Sequence, residues 1–166
     1  MEHQAGHHRG NAEAVRNPGA APVNYKCVLV KTNFKEDMWV VAAEMRPGDP
    51  TVLHHGKVWV RPPGSTWMEH AVPGEACETE TQKDLMGRNA ADEGNDILGK
   101  FNPGLGAQRF DMEGAAKFIP KGSDLVYELH YTTSGKPASD VSETGPRARQ
   151  GSTARSATTS TRVRRH

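Results

Sequence analysis

The chain has 166 residues, enough for one domain, with 35% hydrophobic and 25% charged residues and a net charge of +1. Its mean hydropathy is −0.72, and no apolar run approaches the roughly 18 residues of a helical membrane span, so none is expected. The opening Met1-Glu2-His3-Gln4-Ala5-Gly6 lacks the apolar stretch of a signal peptide.

Residues 1–22 are rich in Gly, Ala, His and Asn without periodicity and read as a disordered arm. His7-His8 lie there with no partner in view. From Val23 the texture becomes β-rich, with Tyr25, Cys27, Val28, Leu29 and Val30 in the first run and Met38 to Met45 in the second. Arg46-Pro47-Gly48-Asp49-Pro50 is a strong turn signal, and a third run, Thr51 to Val60, stops at Arg61-Pro62-Pro63-Gly64. Strand, turn and strand without a crossover helix predicts antiparallel pairing.

Residues 64–96 show no sustained period and read as one long connection, in which His70 is expected to be exposed. Shorter runs follow at Ile97 to Phe101, Gln108 to Met112 and Ala115 to Ile119. The last strong run, Asp124 to Thr133, alternates clearly. Leu125, Tyr127, Leu129 and Tyr131 share one face, with Val126, Glu128 and His130 on the other. The expected fold is an all-β antiparallel sandwich of jelly-roll type over residues 23–140. Residues 141–166 are expected to form a disordered Ser/Thr/Arg-rich tail. Beyond Pro146 it carries Arg147, Arg149, Arg155, Arg162, Arg164 and Arg165 and no acidic residue. Such a tail could attract phosphate, yet its composition is that of a disordered end, and nucleic acid is not expected as a partner.

Chemistry concentrates in Leu53-His54-His55-Gly56 and in Leu129-His130-Tyr131. Three neutral imidazoles brought together suit copper or zinc, with copper favoured by intrinsic affinity. Adjacent strand residues point to opposite faces, so His54 and His55 can share an ion only across a bulge or a strand end. Gly56 makes such an irregularity cheaper. Glu128 shares the face of His130 and is either an acceptor that fixes an imidazole tautomer or a solvated strand residue. Cys27 and Cys77 match no metal pattern; they either pair in an oxidising compartment or remain a buried and a loop thiol. No G-x-S-x-G, P-loop or G-x-G-x-x-G is present, so no catalytic residue is assigned.

A series of short motifs resembles one family. It runs through Asp37-Met38-Trp39-Val40, Glu44-Met45-Arg46-Pro47-Gly48, Val52-Leu53-His54-His55 and Val58-Trp59-Val60-Arg61-Pro62-Pro63-Gly64. It continues with Gly99-Lys100-Phe101-Asn102-Pro103-Gly104, Gly114 to Ser123, and Leu129-His130-Tyr131-Thr132. Together these resemble the first lobe of type II copper, ascorbate-dependent monooxygenases, relatives of peptidylglycine α-hydroxylating monooxygenase and dopamine β-hydroxylase. The resemblance implies an oxidoreductase lobe with an electron-transfer copper held by His54, His55 and His130. It further implies a reductant such as ascorbate and a periplasmic or secreted location. A small-molecule or peptide substrate would be hydroxylated at a second copper, held by an H-x-H pair and a methionine in a following lobe. This sequence contains no H-x-H, and its texture shift after Gly145 reads as a truncation or an altered frame. The alternative expectation is a non-catalytic copper-holding or interaction module of a larger exported protein.

Overall fold

A computed structural model describes residues 24–74, 76–78, 96–111, 115–132, 138–148 and 159–160. These residues form strands and turns with no helix among them, and so none long and apolar enough to cross a membrane. Ten strands are present: β1 Asn24–Val30, β2 Met38–Arg46, β3 Leu53–Arg61, β4 Ala76–Glu78, β5 Asp96–Phe101, β6 Gln108–Arg109, β7 Lys117–Ile119, β8 Asp124–Tyr131, β9 Glu143–Ala148 and β10 Thr159–Ser160.

Every pairing is antiparallel. One sheet has the order β4-β1-β8-β3-β5, and the other β10-β9-β2-β6, with β7 pairing β2 as well. The two face each other across one core, the β-sandwich that alternation predicts. From the first sheet come Val28, Leu53, Val58, Val60, Leu98, Leu125, Tyr127, Leu129 and Tyr131; Met38, Val40, Ala43, Met45 and Ile119 answer from the second.

β8 is buried along its whole length because both of its faces are covered. The inner face meets the second sheet, and the outer face is roofed by the connection after β3. There Trp67 and Met68 pack with Cys27, Leu29 and Val126 in a second, smaller cluster. Cys27 is disulfide-bonded, and its strand register sets it opposite Cys77, the other cysteine of the chain. The short β4 pairs the outer edge of β1.

The sandwich does not end at residue 140. Glu143–Ala148 is a full strand lying between β2 and β10, and Asp140, Ser142 and Thr144 are wholly buried. The inward positions here are Ser142, just before the strand, and Thr144 and Pro146 within it, so the segment alternates in burial without alternating in hydropathy. The expected arm, residues 1–22, and most of the expected tail lie outside the described residues.

Asp140 anchors the entrance to β3. Its carboxylate accepts hydrogen bonds from the Asp49 amide at 2.8 Å, the Tyr131 hydroxyl at 2.8 Å and the Ser142 hydroxyl at 2.8 Å. The turn can come this close because residue 48 is glycine: a Cβ there would stand 2.5 Å from the Val141 backbone. Leu53 N–H then bonds Asp49 C=O at 3.1 Å and Thr132 N–H bonds Val52 C=O at 2.9 Å. β3 therefore starts from a fixed point beside the end of β8.

Candidate metal centre

β8 lies between β1 and β3, and their registers lay out the outer face of the sheet in rows. Tyr25, His130 and His55 form the first row, Cys27, Glu128 and Lys57 the next, then Leu29, Val126 and Trp59, and last Asp124 with Arg61. The register of β3 shifts between Leu53 and His55: Leu53 faces Tyr131, and His55 faces His130. His54 is the extra residue of a β-bulge, so two consecutive histidines stand opposite one. This is the irregularity that an adjacent pair requires.

All three imidazoles meet. Their candidate ligand nitrogens lie within 4.8 Å of one another. His54 Nδ1 and His55 Nδ1 are 3.0 Å apart, and His130 Nδ1 lies 3.0 Å from Nδ1 and 2.9 Å from Nε2 of His55. Burial is graded, with His54 exposed, His55 half-buried and His130 only 7% exposed. One side of the cluster is therefore in the sheet and the other in water.

The cluster is poorly satisfied by its own hydrogen bonds. Standing almost equally far from both nitrogens of His55, His130 Nδ1 lies over the ring edge between them, off the lone-pair axis of either. His130 Nε2 is buried with no hydrogen-bond partner among the described residues. Protons are also disfavoured. Burial, followed by the neighbouring His55 and His54, holds the His130 imidazole down to about 4 from its ordinary 6.5. His55 is lowered by burial first and then by His54 and Lys57, with Glu128 opposing. Neutral, lone-pair-bearing nitrogens converging on one point are the form in which imidazoles bind a metal ion. The donor set fits a cation that accepts three imidazoles, with His130 Nδ1 the nitrogen that faces the cluster.

Other expected participants fall elsewhere. Glu128 is not solvated, and its hydrogen bonds go elsewhere than to an imidazole: it is buried, and accepts from Lys57 Nζ at 3.1 Å and Trp59 Nε1 at 3.3 Å. His70 is exposed and outside the cluster, and His7-His8 lie outside the described residues. Gly56 plays a different part from the one expected. It is absent from the left-handed backbone region, and a Cβ on it would press against Met45, 2.5 Å from Cε and 2.9 Å from Sδ. Its small size makes room for the core. Sequence reasoning passed over Tyr25, whose ring stacks on His130 with centroids 4.2 Å apart and planes 6° from parallel. Only the β1–β8 register, invisible in sequence, brings the two together.

No family model, curated protein or solved structure matches this chain.

Proposed function

We propose that this sandwich is the electron-relaying copper lobe of a type II copper, ascorbate-dependent monooxygenase, holding one copper ion on His54, His55 and His130. The observation that carries the reading is the convergence of three neutral imidazoles at a bulge, with His130 nearly buried and His54 open to water. An all-imidazole set suits copper or zinc, and the affinity order favours copper. The series of motifs that resembles the first lobe of that family makes the choice narrower. A disulfide at Cys27 accords with an exported protein in an oxidising compartment.

Copper held there would supply one-electron cycling between Cu(I) and Cu(II). The chain's own part is to hold three nitrogens in place, keep His130 neutral, and leave the His54 side open to a small reductant such as ascorbate. Hydroxylation of a small-molecule or peptide substrate would need a second copper, for which this sequence has no H-x-H pair.

Copper titration of the purified chain and of His130→Ala tests the site. One copper per chain is expected, with binding weakened or lost in the variant; equal stoichiometry and affinity would overturn the assignment. A second reading is a copper-holding module without catalysis, favoured by the single cluster of candidate ligands among the described residues. Hydroxylation of a peptide or phenethylamine by the chain alone would reject that reading, and copper binding without turnover would support it.

A further inference from the structure

We infer that Tyr25 is a positioning residue of this metal site, its ring face doing for His130 what a hydrogen-bond acceptor does for most metal-bound histidines. The inference rests on the metal reading above. A metal-bound histidine ordinarily donates its second ring N–H to a carboxylate, a carbonyl or water, and that bond sets the ring's orientation. His130 has no such bond. When Nδ1 turns its lone pair toward the cluster, the ring proton sits on Nε2, which is buried and meets no acceptor. The nearest carboxylate on the same strand face, Glu128, is already committed to Lys57 and Trp59.

What remains to hold the ring is packing. Tyr25 is the direct cross-strand partner of His130 and lies flat against it, at 4.2 Å and 6°. It also meets His55 in a T-shaped arrangement, with centroids 6.2 Å apart and planes at 69°. Turning the imidazole about its bond to the backbone side would drive an edge into the tyrosine face, so the stack restricts the rotation that would swing Nδ1 away. Tyr25 is itself on a braced strand. β1 pairs with β8 along Asn24–Val30, and the disulfide-bonded Cys27 stands two residues further on. The ring face, and not the hydroxyl, is the part that acts.

The test uses Cu(II) as the probe and compares Tyr25→Phe with Tyr25→Leu, by competition titration and by the Cu(II) electron paramagnetic resonance spectrum. Tyr25→Phe keeps the face and is expected to match the unsubstituted protein in both. Tyr25→Leu is expected to keep one copper per chain but to bind it roughly 10- to 100-fold more weakly, the usual penalty for losing an orienting partner, with an altered spectrum. Circular dichroism and thermal melting of the metal-free variants check the fold; should the leucine variant not fold, Tyr25→Val, suited to a strand, takes its place. A folded variant lacking the ring with unchanged affinity and spectrum overturns the inference. So does a phenylalanine variant that loses as much as the leucine one, because the hydroxyl would then be the agent. These outcomes are separate from failure of the site itself, which His130→Ala reports.

Discussion

The outer face shared by β3 and β8 carries ionisable side chains at both of its ends, and the two ends treat them in opposite ways. At the Asp124 end, the carboxylate receives Lys31 Nζ at 2.7 Å and Arg61 Nη1 at 3.1 Å. Arg61 also donates to the Trp67 carbonyl at 2.5 Å and the Ser65 carbonyl at 2.6 Å. Every charge there has a counterpart, and the network pins the connection that roofs the sheet. At the histidine end, nitrogens crowd together, one is buried without a partner, and protonation is suppressed. A matched set of charges stabilises the fold, whereas neutral nitrogens gathered without counterparts form a set that could hold a metal ion.

The sharpest way to break this contrast is Asp124→Ala. Its loss leaves Arg61, whose side chain is 12% exposed, without its carboxylate, and about 3 kcal/mol of stability should go with it; the shift of the urea midpoint measures this. Copper affinity should barely change, since the histidines lie at the other end.

The next effect belongs to the histidine end of the metal-free protein. The folded pKa of His130, about 4, lies below its ordinary 6.5, so the unfolded chain takes up the proton first. This contribution to stability is complete above pH 6.5 and is lost as pH falls toward 4. Denaturant titrations across that window should show a slope that His130→Ala makes shallower, by at most about 1.4 kcal/mol per pH unit. An unchanged slope would mean that His130 does not carry it. The smallest effect is expected from Lys31→Ala. Lys31 is 53% exposed, and Asp124 keeps Arg61, so the loss should be about 0.5 kcal/mol or less. A loss as large as that of Asp124→Ala would show that the network depends on all of its members.

Much of this was legible in the chain itself. β1, β2, β3 and β5 announce themselves as β-rich runs between polar or Pro/Gly breaks and β8 through alternation, and Val126, Glu128 and His130 do share a face. β9 escaped because the inward positions at and just before it are Ser142, Thr144 and Pro146, whose burial depends on neighbours and on the Asp140 anchor rather than on hydropathy. The connection after β3 has no period, yet its adjacent Trp67 and Met68, two large apolar residues in a polar stretch, were a usable sign that it covers something. The three histidines could be named from their types and setting. The Tyr25–His130 stack could not, because pairing register is set by contacts far apart in sequence.

The bulge at His54 has one more consequence, and it concerns parity. Leu53, Val58 and Val60 all enter the core, but Leu53 and Val58 are an odd number of positions apart. In an unbroken strand one of them would have to face outward. One surplus residue between them reconciles the two, and the hydrophobic order of β3 therefore demands an extra residue near position 54 whatever binds there. The histidine pair occupies an irregularity that the core already requires. An ion arriving at this site would find its side chains gathered by the packing of leucine and valine on the opposite face, and would have little of the backbone left to rearrange.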